Sequence, residues 1–417
     1  MESLSNIITY LICSYIFILP ILPSKYKYKN IPFNGDVVLL LIIISFIIFI
    51  FIDGEWRKNF FNGMKDFFCK ANTIFIFMWV GMMVVSISYS PDKKLALQET
   101  IRTSTYIVLF FIIKYEVYKK KYLDKIIYSY IFTSIIVGFI GIYEYLKGIG
   151  LTHKGEFSTV VRCVSTLENS NNLGGFFIMI VFPMMVLSFK EKQKCKRNVY
   201  ILCSIIAILC SIIAIINIII SFSRNAWLAF VIGYMVLIIV FNFKLIYGAI
   251  LGAGVSLFIP KISNRLREIG DVSQNLSRIS LWKIAWEMVK DKPLLGVGNG
   301  NYRTLYPQYY KKVKYLGYTA QAKFHPHNAY LKAQCELGIM GLISLLGIFV
   351  SSVWKVSELS KKSNNTFYKY FYKGFIASLI AFMFMNFIDN FFSAPKVIAF
   401  FWISLAVADS FEYNCKI

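Results

Sequence analysis

His327 stands between Pro326 and Asn328 at the start of a long apolar run, and it is one of three histidines in 417 residues. An imidazole whose unperturbed pKa is about 6.5 can take a proton from a hydroxyl near neutral pH, so a base is the first role to weigh. Two other roles compete with it. The ring could cap the helix that follows, or His325-Pro326-His327 could be half of a metal site. The metal role lacks partners: the nearest carboxylate is Glu336, nearly three turns further along a helix. No metal is therefore expected. His325 lies on the far side of Pro326 and is a secondary candidate, as is Asn328; His153 carries no special signal.

Three arginines accompany this histidine. Arg224 lies in IIISFSRNAWLAFVIG, between two apolar runs that leave only a few residues for a turn. An arginine at such depth costs roughly 2.5–3.5 kcal/mol on insertion scales. It either snorkels at a helix end or faces a cavity as a fixed cation, and Ser221, Ser223 and Asn225 make its surroundings polar. Arg278 opens an expected helix, where a cation opposes the macrodipole and an anionic partner would relieve the conflict. Arg162 precedes the Asn-rich turn Asn169 to Asn172, which places Asn171 and Asn172 among the secondary candidates. Arg278 and Arg162 also read as ordinary loop arginines. Arginines in such numbers can neutralise a diphosphate through charge-assisted, often bidentate hydrogen bonds. No Walker, HExxH, GxSxG or DxD motif occurs, and GVGNGNY at 296–302 follows no strand, so it reads as a turn and not as a nucleotide cradle.

The elements that must position these groups are membrane helices. Hydrophobic residues make up 57% of the chain and charged residues 16%, well below the roughly 25% charged of soluble domains. Runs such as 39–52 and 199–222 hold no charge and approach or exceed the ~20 residues that cross a bilayer. The fold class expected is an all-α polytopic membrane protein of one integral domain, 1–417. About twelve spans are predicted, near 6–23, 36–52, 72–89, 101–117, 126–146, 171–189, 198–220, 225–242, 245–260, 328–354, 369–390 and 395–411.

Basic residues crowd loops 53–71, 118–125, 190–197 and 355–368, which alternate along the chain and so share one side, the cytoplasm. Lys25, Lys27 and Lys29 run against that rule. The net charge of +23 then reflects lysines facing anionic lipid and not nucleic acid. Loop 261–327, between spans nine and ten, falls on the outer side and is too long for a connector. Within it, 278–291 reads as an amphipathic helix with Ser277 as N-cap; Trp282 and Trp286 suit either the membrane interface or packing on the spans. The eight cysteines are scattered without CxxC spacing and read as small hydrophobes, and the first apolar run reads as a retained helix.

A histidine and arginines at the outer rim could act on a diphosphate arriving on a lipid. Charge builds on the diphosphate as a glycosidic bond to it breaks, so prepositioned arginines favour the transition state over the ground state. At these residues the chain resembles the O-antigen ligase/polymerase superfamily of bacterial membrane glycosyltransferases. The family's signature is His, Asn/Ser/Gln, nine residues, Gly, two residues, Gly. His327-Asn328, Gly338 and Gly341 match it in full. SRNAWLAF looks like the family's arginine-bearing turn after a span, SRISLWKIAW fits its second arginine, and GVGNGNY its G-x-G turn.

The resemblance implies transfer of a glycan from undecaprenyl diphosphate to an acceptor, without metal or other cofactor, at the outer face of a bacterial cytoplasmic membrane. His327 would be the base and Arg224 and Arg278 the diphosphate ligands, with Arg162 assisting. The acceptor is a glycan, lipid or protein, and the Lys-, Ile- and Asn-rich composition leans toward a surface-polysaccharide polymerase. A transporter or flippase of lipid-linked glycans is the alternative from another class, and a structural subunit of a polysaccharide assembly is a third.

Overall fold

In a computed structural model, residues 2–24, 27–28, 31–32, 34–154, 159–189, 197–268, 276–313 and 325–414 are described. Helices α1 (Glu2–Ile21) and α2 (Gly35–Ile52) flank a short hairpin, β1 (Lys27–Tyr28) with β2 (Ile31–Pro32). Next come α3 (Gly54–Cys69), α4 (Ala71–Tyr89), α5 (Lys93–Tyr115) and α6 (Lys120–Lys147). A second hairpin, β3 (Leu151–Lys154) antiparallel to β4 (Thr159–Arg162), leads to α7 (Ser170–Ser188), α8 (Arg197–Ile220) and α9 (Arg224–Val240). Then follow α10 (Ile246–Phe258), α11 (Pro260–Arg267), α12 (Leu276–Asp291) and α13 (Tyr302–Lys312). The last three helices are α14 (Ala329–Lys362), α15 (Thr366–Ile388) and α16 (Pro395–Asn414).

Long Ile-, Phe- and Leu-rich runs become helices because hydrocarbon offers no partner to a backbone amide, so each segment must satisfy its own. The ends are closed by side chains: Asn34, Asp53, Asp92, Asn169, Ser223, Asn328 and Asn365 each accept a backbone N–H at a helix start. Every predicted span coincides with a helix, but the count of twelve is not reproduced. Among the described residues seven helices are long and apolar enough to cross a membrane, and nine segments are if α3–α4 and α10–α11 each count as one bent span. The α10–α11 pair bends by 96°. The other three expected spans are α5, which carries Glu99, Arg102 and Lys114, the 17-residue α9, and α16, which carries Lys396 and Asp409. The basic run at 190–196 lies outside the described residues.

At the centre is α7, buried at every position from Leu173 to Leu187. A helix apolar all round can be covered only by other helices, and α15, α8 and α9 do so. Gly374 of α15 lies against the α7 backbone, where an added Cβ would meet the Phe182 carbonyl. At the lysine-rich end, the fully buried Lys114 lies 3.4 Å from both Asp66 and Asp409, and Lys355 reaches Asp409 at 2.8 Å, tying α3, α5, α14 and α16 together.

Within the segment expected as a large loop, the described residues form α11, α12 and α13, and α12 and α13 pack on α14. Leu281, Ile284, Ala285, Met288 and Val289 of α12 form a second apolar cluster with Tyr302, Tyr306, Tyr309 and Cys335. Trp282 meets Phe387 of α15 at 5.9 Å, whereas Trp286 is exposed. Since α12 begins at Leu276, Ser277 falls inside the helix and is not its N-cap.

One backbone break organises the site end. Gly338, with φ 70° and ψ −166°, interrupts α14. The carbonyls freed by the break are taken up by the turn at 296–302: Val297 N–H donates to Cys335 O and Gly298 N–H to Glu336 O, both at 2.8 Å. Ile339 N–H donates to Pro293 O at 3.0 Å, and the Glu336 carboxylate accepts from Gly300 and Tyr302 N–H. A Cβ on Gly338 would land on the Leu294 carbonyl. Gly338→Ala is therefore expected to cost at least about 2 kcal/mol, from strain and collision together. Gly81→Ala in α4, where a Cβ meets nothing, should be neutral or stabilising. Thermal unfolding in detergent compares the two, and an unchanged midpoint for Gly338→Ala would show that the break is not required.

Candidate active site

Several chain segments deliver the polar groups. The α8–α9 turn is only three residues long, and Phe222 within it takes a left-handed φ of 45°, which L-residues avoid without compensation. The turn is held by Ser223 Oγ accepting from Ala226 N–H and by Trp227 Nε1 donating to Ile218 O. It presents the Ser221 carbonyl to Arg162 at the end of β4 and the Ser223 hydroxyl to Asn171 in the first turn of α7. His327 is likewise left-handed, with φ 47°, just ahead of Asn328. Asn328 Oδ1 accepts Leu331 N–H at 2.9 Å, so this residue caps α14.

A chain of hydrogen bonds joins the segments. His327 Nδ1 lies 2.9 Å from Asp389 Oδ1. Asn171 Nδ2 donates to Asp389 Oδ2 at 2.9 Å, and Asn171 Oδ1 accepts from Arg162 and from Ser223 Oγ, each at 2.9 Å. Arg162 Nε also donates to Ser221 O at 3.2 Å. Asp389 is fixed further by Asn390 N–H at 2.9 Å, while its carbonyl accepts Ala329 N–H at 3.1 Å. The carboxylate beside Nδ1 makes that nitrogen the proton-bearing one, which leaves the Nε2 lone pair free. Among the described residues nothing hydrogen-bonds Nε2, and the His327 side chain is 40% exposed.

The guanidiniums gather around this chain. Arg224 Nη1 donates to Glu268 O at 2.5 Å, and Arg265 pairs with the Glu268 carboxylate while its Nε donates to Phe222 O at 3.4 Å. Arg278 of α12 is partly buried and makes no hydrogen bond or ion pair among the described residues. Burial first, then the charges of Arg265, Arg278 and Arg224, pull the pKa of Arg162 down to about 10, and Asp389 opposes them. These arginines are thus close enough to repel one another. Burial acts to raise the Asp389 carboxyl, yet the hydrogen bond and charge of His327, the Asn390 N–H and the charge of Arg278 outweigh it and hold the group below its ordinary range.

The structure thus brings His327, Arg162, Arg224, Arg278 and Asn171 together at one end of the bundle. Asn172 donates to Leu167 O and serves its own turn. His325 is exposed and makes no hydrogen bond among the described residues. Sequence reasoning missed Asp389 and Arg265. A lone acid closing an apolar run was the signal for the first, and an arginine in the same loop as Arg278 for the second. Among the described residues no group of three or more His, Cys, Asp or Glu stands together as a metal site requires.

Residues 209–346 match the family model described as O-Antigen ligase. The match contains Arg224, Arg265, Arg278, His327, Gly338 and Gly341; Arg162, Asn171 and Asp389 lie outside it. No curated protein matches the chain.

Two outcomes follow from the electrostatics. Because the native pKa of Asp389 is depressed, its contribution to stability is complete above the unfolded value of about 3.9 and is lost as pH falls through the lower native value. The gap in unfolding midpoint between wild type and Asp389→Asn should therefore shrink as pH falls below about 4; a gap that grows there contradicts the assignment. Asn171→Leu strands both a carboxylate oxygen and a guanidinium, and is expected to cost about 1–3 kcal/mol in thermal unfolding.

Proposed function

We propose that this chain, whose residues 209–346 match the O-Antigen ligase family model, belongs to the O-antigen ligase/polymerase superfamily and transfers a glycan from undecaprenyl diphosphate to an acceptor hydroxyl. The site would work at the outer face of a bacterial cytoplasmic membrane during surface-polysaccharide synthesis, as repeat-unit polymerase or ligase. The observation that carries the reading is the His327–Asp389 pair, whose carboxylate lies within the electrostatic reach of Arg162 and Arg278.

In this reading the acceptor hydroxyl gives its proton to His327 Nε2 as its oxygen bonds to the anomeric carbon. Asp389 accepts the Nδ1 hydrogen, keeps the ring in the reactive tautomer and stabilises the imidazolium. The bond from the anomeric carbon to the diphosphate breaks, and the leaving charge falls on Arg224, Arg278 and Arg162. Four guanidiniums (162, 224, 265 and 278) stand against the carboxylates of Glu268 and Asp389. A diphosphate diester would suit such a cluster of guanidiniums, and its arrival would relieve the repulsion that depresses Arg162. Glycosyl diphosphates carry the energy for transfer themselves, so no nucleotide site is required.

Purified protein with an undecaprenyl-diphosphate-linked glycan tests the roles. His327→Asn keeps a residue that tolerates a left-handed φ, so it should fold while losing about 10²–10⁴ of the transfer rate. Arg278→Ala should lose transfer as well. Normal transfer by both variants would refute the assignment. Inorganic pyrophosphate is expected to raise the unfolding midpoint of wild type and to leave that of Arg278→Ala nearly unchanged.

A further inference from the structure

Arg224 opens α9, and an apolar stripe runs away from it along the same face of that helix. Leu228, Val231 and Met235 follow the arginine at i+4, i+7 and i+11, spacings that line up on one side of a 3.6-residue helix, and Ile239 continues the row. Leu228 is half-buried; Val231, Met235 and Ile239 are exposed. At 1.5 Å of rise per residue the row from Arg224 to Ile239 is about 22 Å long.

The α10–α11 pair is tied to α9 at two places along this row. The Tyr234 hydroxyl donates to Leu245 O at 3.0 Å, just ahead of α10. Beyond the 96° bend, Glu268 O accepts from Arg224, and Arg265 Nε donates to Phe222 O in the α8–α9 turn. Between the two ties α10 has no buried residue, and its Tyr247, Ile250, Leu251, Leu257 and Phe258 are all exposed. A helix that merely faces lipid on one side does not look like this: the strongly apolar α2 still buries Val38, Leu39, Ile42 and Phe46. Thus α10 stands off the bundle and leaves the row on α9 uncovered.

We infer that the exposed row of α9, with α10 beside it, is the track for the isoprenoid tail of the donor lipid; the inference rests on the transfer reading above. A polyprenyl diphosphate is an anionic head on a long uncharged tail, and the track has the same polarity. Its head end is Arg224, which acts together with Arg265 and Arg278 on Arg162. Every later residue of the row is apolar. A second copy of this chain fits the face less well, because protein packed on α9 would block the approach to Arg224, whereas a tail lying there delivers its own head to the arginine. The tie between Glu268 and Arg224 puts the end of the α10–α11 strap and the head of the track at one residue. A tail passing between α9 and α10 therefore ends its path at the guanidinium.

The test uses the full-length wild-type protein in phosphatidylglycerol nanodiscs and, as probe, undecaprenyl diphosphate carrying a photoactivatable diazirine in its tail. Peptide mass spectrometry after irradiation reads where the tail lay. Adducts are expected to concentrate on 228–239 and on α10, and to be suppressed by unlabelled undecaprenyl diphosphate but not by added phosphatidylglycerol. Adducts spread evenly over the lipid faces of α2 and α8, or indifferent to unlabelled undecaprenyl diphosphate, overturn the track even if His327 proves essential. Kinetics read the same site independently. Met235→Trp, which puts bulk in the row, should raise the KM of the undecaprenyl donor about tenfold with kcat little changed. It should leave the KM of the same glycan on a geranyl tail as it was, since that tail is too short to reach Met235, about 16 Å along α9 from Arg224. An equal effect on both donors contradicts the track. Competed adducts on α9 together with normal transfer by His327→Asn would uphold the track and overturn the transfer reading instead.

Discussion

A carboxylate set at the edge of an apolar bundle must be satisfied completely or it destabilises the fold. Asp389 meets that demand with groups from three places: His327 ahead of α14, Asn171 in the first turn of α7, and the backbone of its own connector. Asn171 passes the constraint on to Arg162 and Ser223, and through them to the α8–α9 turn. Helices that share no sequence neighbourhood are thereby held in one register at the end where the chemistry is proposed. Networks of this kind are rigid because each bond polarises the next and each missing partner is costly.

The spacing of His327, Gly338 and Gly341 has a mechanical explanation. The break at Gly338 leaves Ala329–Leu337 as a short helical segment fixed at both ends. One end is tied by the Asn328 cap and by Asp389 O, the other by Val297 and Gly298. Gly341 packs one turn beyond the break, where a Cβ would crowd the Ala333 carbonyl. A histidine placed on such a segment cannot drift, and its left-handed backbone adds strain that the surrounding bonds must hold. The G-x-G turn that follows α12 is thus the other half of the same joint.

The apolar runs located the helices well because membrane helices are written as uninterrupted hydrophobicity. The count of spans was harder: α5 and α16 carry buried charges that pair only in three dimensions, as Lys114 does with Asp66 and Asp409. The Arg224 turn was legible because an arginine between two apolar runs needs a reason. Asp389 was not, since it is 62 residues from His327 in the chain and nothing in either segment announces the other. His325, the sequence neighbour, makes no hydrogen bond among the described residues and so does not join the network, although burial and the charges of Lys332, Arg303, His327 and Arg102 push its pKa down to about 3. The family match supports glycan transfer, and the transport alternative draws nothing from it.

The central claim is that one polar end of the bundle holds a lipid diphosphate against the His327–Asp389 pair. A cryo-electron microscopy structure of the protein with bound undecaprenyl diphosphate tests it most directly. The account predicts phosphate oxygens in contact with Arg224 and Arg278, with His327 Nε2 facing the position where the sugar would begin. A diphosphate held elsewhere, with those guanidiniums empty, would contradict it.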